Sequence, residues 1–314
     1  FIHPELGNQG NKVLSMLRIA VTSDLHVDLA KPWTPEDVAR SIAEYCASLE
    51  PDLFIVAGDI SADTGAFRNT LRIFSLEYGL RTAIVPGNHD LWAEPDVQAF
   101  RDSSFRHNEL LRWICDEAKV HPLWLEPLFL DGVRFVGTYG HYDYSFCPEE
   151  LADPRFFECK RIGQTVWNDL HYMWWGEFAT KGQFRPTVLD DRALFQALLE
   201  RFETQLTTPT PNNDPVRMTV AAIHTVPFAQ CLKWTGDPGY DAWSAFLGGR
   251  ALGETLQKHD VAVAIYGHTH HNNDLEIDGI RAINAAFGYC RSPEWNGART
   301  PRERAEQAVR VLEI

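Results

Sequence analysis

An α/β architecture with a parallel core follows from three features of this 314-residue chain. Five short runs, LRIAVTS, LFIVAG, TAIVPG, TVAAI and VAVAIYG, carry the β-branched and aliphatic residues of strands buried on both faces. Stretches with helix start signals or helical apolar spacing alternate with them. Each run also stops at Asp, Asn or His: at Asp24 and His26, at Asp59, at Asn88 with His89 and Asp90, at His224, and at His268 with His270. Ligands of open parallel sheets sit outside the carboxyl ends of the strands, so these residues are expected in one cluster. Within DLH and HTH the paired residues are two apart, and an extended backbone would point both side chains to the same side.

The elements follow in order. Residues 1–15 are polar and broken by Pro and Gly, and they read as an extension apart from a single domain at 16–314. After the first strand, Thr34, Pro35 and Asp37 give a cap, a proline at the first helical position and an early acid, which predicts a helix over 35–49. Further helices are expected at 68–78, 95–118 and 189–206, the last opened by Asp190 and Asp191. A strand is expected from Gly132 to Gly137, a loop over 208–214, and a hairpin around Asp278-Gly279. Residues 139–186 break the alternation. They carry Tyr139, Tyr142, Tyr144, Trp167, Tyr172, Trp174 and Trp175, and they have the length of an insertion rather than a connection. The aromatics there either cap a substrate pocket or bury one another.

With 45% hydrophobic residues the chain can fill a sizeable core. Its net charge of −14 and pI near 5.3 disfavour attraction to a nucleic-acid polymer. No stretch reaches the roughly 18 apolar residues of a membrane span, so a cytoplasmic protein with no membrane partner is expected. Cys46, Cys115, Cys147, Cys159, Cys231 and Cys290 form no CxxC pair, which favours reduced thiols. Nothing in the sequence sets an oligomeric state.

The strings Asp24-x-His26, Gly58-Asp59, Gly87-Asn88-His89-Asp90, a lone His224 and Gly267-His268-Thr269-His270 resemble, in this order, the calcineurin-like metallophosphoesterases. A string such as GNHD arises by chance in a chain of this size on the order of once in a thousand. The similarity runs from about Leu17 to Asn284. It implies a four-layer α/β/β/α sandwich with two divalent metal ions. By similarity Asp24, His26, Asp59 and His270 hold one ion, and Asp59, Asn88, His224 and His268 hold the other, with Asp59 bridging. Carboxylate and imidazole donors suit Mn, Fe, Zn, Co or Ni better than calcium. Two anionic ligands facing about four positive charges would leave an excess of roughly two, which attracts phosphate.

The resemblance further implies hydrolysis of a phosphoester by a metal-bound hydroxide. Catalytic roles are expected for Asp59 and His89, and substrate contacts for Asn88 and His89. His89 would stabilise the transition state or protonate the leaving oxygen, while Asp90 would fix the loop. His141 and His271 are further candidates for the pocket lining. DLHV and GDISADTG depart from the DxHG and GDxVDRG of protein serine/threonine phosphatases, and Ala62 stands where purple acid phosphatases place a tyrosine ligand. The style resembles bacterial hydrolases of small phosphate esters, with phosphodiesters such as cyclic nucleotides favoured. A phosphomonoesterase, a nuclease or a nucleotide pyrophosphatase would use the same site, and a metal-binding scaffold is the alternative without catalysis.

Overall fold

The computed structural model describes residues 16–93, 102–152, 154–175, 190–290 and 292–314. The extension at 1–15, the start of the helix expected from 95, and the 176–186 end of the aromatic segment lie outside the described residues. The strands are β1 (Arg18–Thr22), β2 (Leu53–Ala57), β3 (Thr82–Val85), β4 (His121–Pro122), β5 (Leu128–Leu130), β6 (Val133–Thr138), β7 (Arg161–Ile162), β8 (Thr165–Val166), β9 (Met218–Ile223), β10 (Val263–Tyr266), β11 (Asn273–Ile277), β12 (Ile280–Asn284) and β13 (Arg310–Glu313). They form a sheet of order β13-β1-β2-β3-β4, a second of order β11-β12-β10-β9-β6-β5, and the small ribbon β7-β8.

All five aliphatic runs are strands, divided between the two sheets: β1, β2 and β3 lie in the first, β9 and β10 in the second. The interior pairs are parallel, and β13, β5 and β11 add antiparallel edges. Alternation along the second sheet explains the layering. Val220, Ala222, Val263, Ile265 and Ile283 join one core with the first sheet. The residues between them, Ala221, Ile223, Ala264, Tyr266 and Ala282, pack with Phe195, Phe202, Leu252 and Leu256 from helices Asp191–Thr207 and Arg250–Lys258. On the first sheet, Val38, Ile42, Phe67 and Leu71 of helices Pro35–Ser48 and Thr64–Arg72 supply the other cover. Strands apolar on both faces therefore end between a helix layer and a facing sheet, as the α/β/β/α sandwich requires.

Helix Pro35–Ser48 starts as expected. Thr34 and Asp37 exchange side-chain and backbone hydrogen bonds at 3.1 Å, a reciprocal cap worth about 1 kcal/mol. The helix expected from residue 68 begins instead at Thr64, because the Asp63 carboxylate accepts the Ala66 amide at 2.7 Å, and it continues into a π turn at Ile73–Glu77. The hairpin turn has both Asp278 and Gly279 at positive φ, 50° and 82°, the geometry that matches strand twist.

Backbone bonds tie the carboxyl ends of the sheets together. Ser23 donates to Ala285 O at 3.1 Å, Phe287 to Ser23 O at 2.8 Å and Gly288 to Asp24 O at 2.9 Å. Asp24 N–H to Gly58 O at 2.9 Å, Gly267 N–H to His224 O at 2.9 Å and His89 N–H to Asp59 Oδ1 at 2.9 Å bring the loops after β1, β2, β3, β9 and β10 to one place.

Candidate metal centre

Five of the expected ligands leave their strands in the left-handed region: Asp24 (φ 53°), His26 (42°), Asp59 (55°), His268 (72°) and His270 (55°). The expectation that DLH and HTH use extended backbone is therefore corrected. Each chain turns sharply at the ligand itself, and such conformations cost of order 1 kcal/mol or more per non-glycine residue unless surrounding contacts enforce them. Here Asp24 N–H donates to Gly58 O at 2.9 Å and His26 N–H to Asp59 O at 3.0 Å, locking one ligand loop to the next. Glycine is required beside them. A Cβ on Gly58, at φ 87°, would stand 2.5 Å from His224 Nδ1, and one on Gly87 would collide with the Asp59 carboxylate.

Two groups of donors converge, Asp24, His26, Asp59 and His270, and Asp59, His224 and His268, with the donor atoms of each group within 4.8 Å of one another. Asp59 is common to both. Its Oδ1 accepts the His89 amide at 2.9 Å, while Oδ2 lies 3.7 Å from His26 Nε2 and 3.5 Å from His224 Nε2. Asn88 Oδ1 is 3.2 Å from His224 Nε2. His270 Nε2 is 3.0 Å from His26 Nε2 and 3.4 Å from Asp24 Oδ1.

These residues fit metal ions on two grounds. An ion bound at about 2.0–2.2 Å separates adjacent donors by roughly 3.0–3.5 Å, close to the 3.0–3.7 Å found here. The ring nitrogens are also aimed. His224 Nδ1 faces Ala57 O at 2.9 Å and His268 Nε2 faces Phe246 O at 3.1 Å. Carbonyls only accept, so those nitrogens carry a proton, and in the neutral rings the lone pairs belong to His224 Nε2 and His268 Nδ1.

Electrostatics agree. Burial pushes the Asp59 carboxyl up, but His224, His89 and His26 outweigh it and hold Asp59 well below the usual range. Asp24 falls to about 2, as His270 outweighs burial. Burial also lowers His268 to about 4 and His26 well below its ordinary value, while Asp59 overcomes burial to raise His224 to about 9. Two buried carboxylates thus stay ionised in an apolar setting because imidazoles surround them.

His89 packs its ring on Trp92 at 3.7 Å and stands edge-on to His26 at 4.6 Å. Asp90 accepts the Ser61 and Gly87 amides at 2.8 Å each and fixes the loop. Burial, then Asp59, raises its carboxyl to about 7. A cavity of 460 Å³ is lined by Asp59, Asn88, His89, His268, His270 and His271, with Trp167, Trp234, Tyr240 and Trp243 among its other walls. His271 is on its wall. His141 is not: it is fully buried, with Nε2 on Asp191 at 2.9 Å and Nδ1 facing the Tyr139 hydroxyl at 3.1 Å, so the pocket-lining expectation for it is corrected. Asp191 does more than open a helix, since Lys160 and the Tyr144 hydroxyl also reach it.

Sequence reasoning missed Asp169. This buried carboxylate sits in the aromatic segment and accepts Asn88 Nδ2 at 3.0 Å and Trp92 Nε1 at 2.7 Å. Nothing in WNDLHY marks it, because the two partners that tie it to the GNHD loop, Asn88 and Trp92, lie some eighty positions away.

A family model described as calcineurin-like phosphoesterase matches residues 17–272. An acyl-carrier-protein phosphodiesterase of Mycobacterium tuberculosis, PptH, is 25% identical over 278 residues, covering 82% of this chain and 74% of that protein. The crystal structure of the phosphopantetheinyl hydrolase PptH from the same organism gives a TM-score of 0.67 at 21% identity, over 96% of this chain and 97% of that one. That likeness shows the shared fold, and no helix among the described residues is long and apolar enough to cross a membrane. With a family match over most of its length and converging Asp and His donors, the chain belongs to the calcineurin-like phosphoesterase family and is a metal-dependent phosphohydrolase.

Proposed function

We propose that this enzyme cleaves phosphodiesters at a two-metal centre, and that its substrate is the phosphopantetheinyl diester of a carrier protein. The carrying observation is Asp59 Oδ2, one carboxylate oxygen set between His26 Nε2 and His224 Nε2 at 3.7 and 3.5 Å, with the other donors completing a group on each side. In this reading Asp24, His26, Asp59 and His270 hold one ion, and Asp59, Asn88, His224 and His268 the other. Mixed N/O donors fit Mn, Fe, Zn, Co or Ni. Ions bound there supply charge that draws in phosphate and makes a water acidic.

The protein's own groups do the rest. Trp92 holds the His89 ring against the cavity, so that the imidazole stabilises charge on phosphorus oxygens or protonates the departing alcohol. Water adds its oxygen to phosphorus, the bond to the carrier-side oxygen breaks, and that oxygen takes up the proton. Trp167, Trp234, Tyr240 and Trp243 offer apolar cover to an uncharged arm. Lys233 is the one lysine or arginine lining the cavity among the described residues. A second phosphate therefore finds little to pair with, which weighs against nucleotide pyrophosphates. Similarity to the M. tuberculosis phosphodiesterase supports the carrier-protein substrate. The reading treats residues 16–314 as one catalytic domain bearing an insertion near 139–186, acting in the cytoplasm.

The test is incubation of metal-restored enzyme with a phosphopantetheinylated carrier protein, read by intact mass, beside cyclic nucleotides, bis(p-nitrophenyl) phosphate and p-nitrophenyl phosphate. Release of the arm with turnover of the aryl diester is expected. Turnover of cyclic nucleotides or monoesters with the carrier untouched contradicts the substrate assignment.

A further inference from the structure

We propose that Asp169 is a positioning residue of the metal centre, one carboxylate that sets the Asn88 amide and joins the aromatic segment to the cleft. The inference rests on Asn88 being a ligand of that centre. Asp169 is 1% exposed. Oδ1 accepts Asn88 Nδ2 at 3.0 Å and Trp92 Nε1 at 2.7 Å, while Oδ2 accepts Trp167 Nε1 at 3.0 Å and the Tyr142 hydroxyl at 3.3 Å. Lys160, the nearby cation, donates to the Tyr142 hydroxyl at 2.7 Å and to Asp191 at 2.8 Å. Four donors thus satisfy both oxygens of the buried side chain, as burial of a polar group requires.

The arrangement matters because an asparagine amide has two orientations of nearly equal shape and opposite chemistry. Trp92 Nε1, Trp167 Nε1 and the Tyr142 hydroxyl all donate to this carboxylate, so its oxygens stand as acceptors and Asp169 selects the orientation with Nδ2 toward itself. That leaves Oδ1 facing His224 Nε2 at 3.2 Å, where a metal ligand has to be an oxygen and not an NH₂ group. The same carboxylate reaches two more residues of the site through one neighbour each. Trp92 is the ring stacked on His89 at 3.7 Å, and Trp167 stands edge-on to His268 at 5.6 Å and 74°. Partners of this kind, one bond removed from the ligands, typically govern metal affinity or activity by 10–100-fold.

Mn²⁺ titration calorimetry on the full chain tests this with Asp169→Asn, Asn88→Ala, the double variant, and Tyr144→Phe. Tyr144→Phe loosens the same segment through Asp191 without touching Asp169. Asp169→Asn is expected to weaken the lower-affinity Mn²⁺ site about 10–100-fold, and the double variant to be no weaker than Asn88→Ala alone, since both act through one ligand. Tyr144→Phe lowers the melting temperature and leaves Mn²⁺ affinity in place. A folded Asp169→Asn that binds Mn²⁺ as wild type does overturns the inference, as does full additivity in the double variant. Should Asp169→Asn fail to fold, Asp169→Glu keeps the charge with displaced geometry and must show the same affinity loss. If Asn88→Ala leaves Mn²⁺ binding unchanged, the ligand reading itself has failed.

Discussion

The strand-end loops and the aromatic segment both bury charge, and they handle it in opposite ways. In the segment, Asp191 is met by His141 at 2.9 Å, by Lys160 at 2.8 Å and by the Tyr144 hydroxyl, while Lys160 also donates to Tyr142. That network is closed. At the strand ends, Asp24 and Asp59 face imidazole nitrogens at 3.4–3.7 Å, and ring nitrogens converge on one another, His26 Nε2 lying 3.0 Å from His270 Nε2. Burial of titratable groups alone does not make a site. Donors converging on one point do.

Three perturbations sharpen that contrast. The largest effect belongs to His89→Ala, which should lower diester hydrolysis by about 10²–10⁴-fold while metal content per chain stays at the wild-type level. Loss of metal in that variant would make His89 a ligand and redraw the centre. Next comes Lys160→Met in the closed network. Leaving a buried carboxylate without its cation should cost about 3 kcal/mol in denaturant unfolding, with Mn²⁺ affinity unmoved. A neutral effect would show that His141 and Tyr144 suffice for Asp191.

The smallest effect per step is the response to pH, which separates the regions. Without metal, His224 is raised to about 9, so below that pH it carries a proton that a metal must displace. Metal affinity should fall as pH drops below about 9, by up to about tenfold per unit for this proton, as followed by titration calorimetry at several pH values. Asp191 behaves otherwise. Although burial raises it, His141 and Lys160 outweigh that and hold its folded value below the ordinary one. Its contribution is therefore complete above about pH 4 and is lost only as pH falls through that range. Acid unfolding unaffected by Asp191→Asn would contradict this.

The contrast also explains what was legible in the sequence. GNHD, GHTH and DLH can be read because each candidate ligand sits in a tight turn fixed by adjacent residues, such as Gly58 and Gly87, whose missing side chains make room for His224 and Asp59. The strands preceding them are legible from apolar runs, and the hairpin from Asp278-Gly279. The left-handed backbone at Asp24, His26, Asp59, His268 and His270 is not, because it is imposed by bonds between loops from different strands. His141 looked like a pocket residue through its aromatic neighbours, yet Asp191, fifty positions away, claims it. Asp169 escaped for the same reason, as its role is defined by Asn88, Trp92, Trp167 and Tyr142 in space. The division of the five runs between two sheets entered through family resemblance, since periodicity shows burial on both faces without showing what covers each.

The most direct test of the account is metal content per chain on protein purified without added metal, coupled on the same sample to hydrolysis of bis(p-nitrophenyl) phosphate before and after chelation. About two ions per chain, with turnover that chelation abolishes and added metal restores, is the result predicted from two donor groups sharing Asp59. A single ion per chain at saturation, or diester turnover that survives complete chelation, would contradict it.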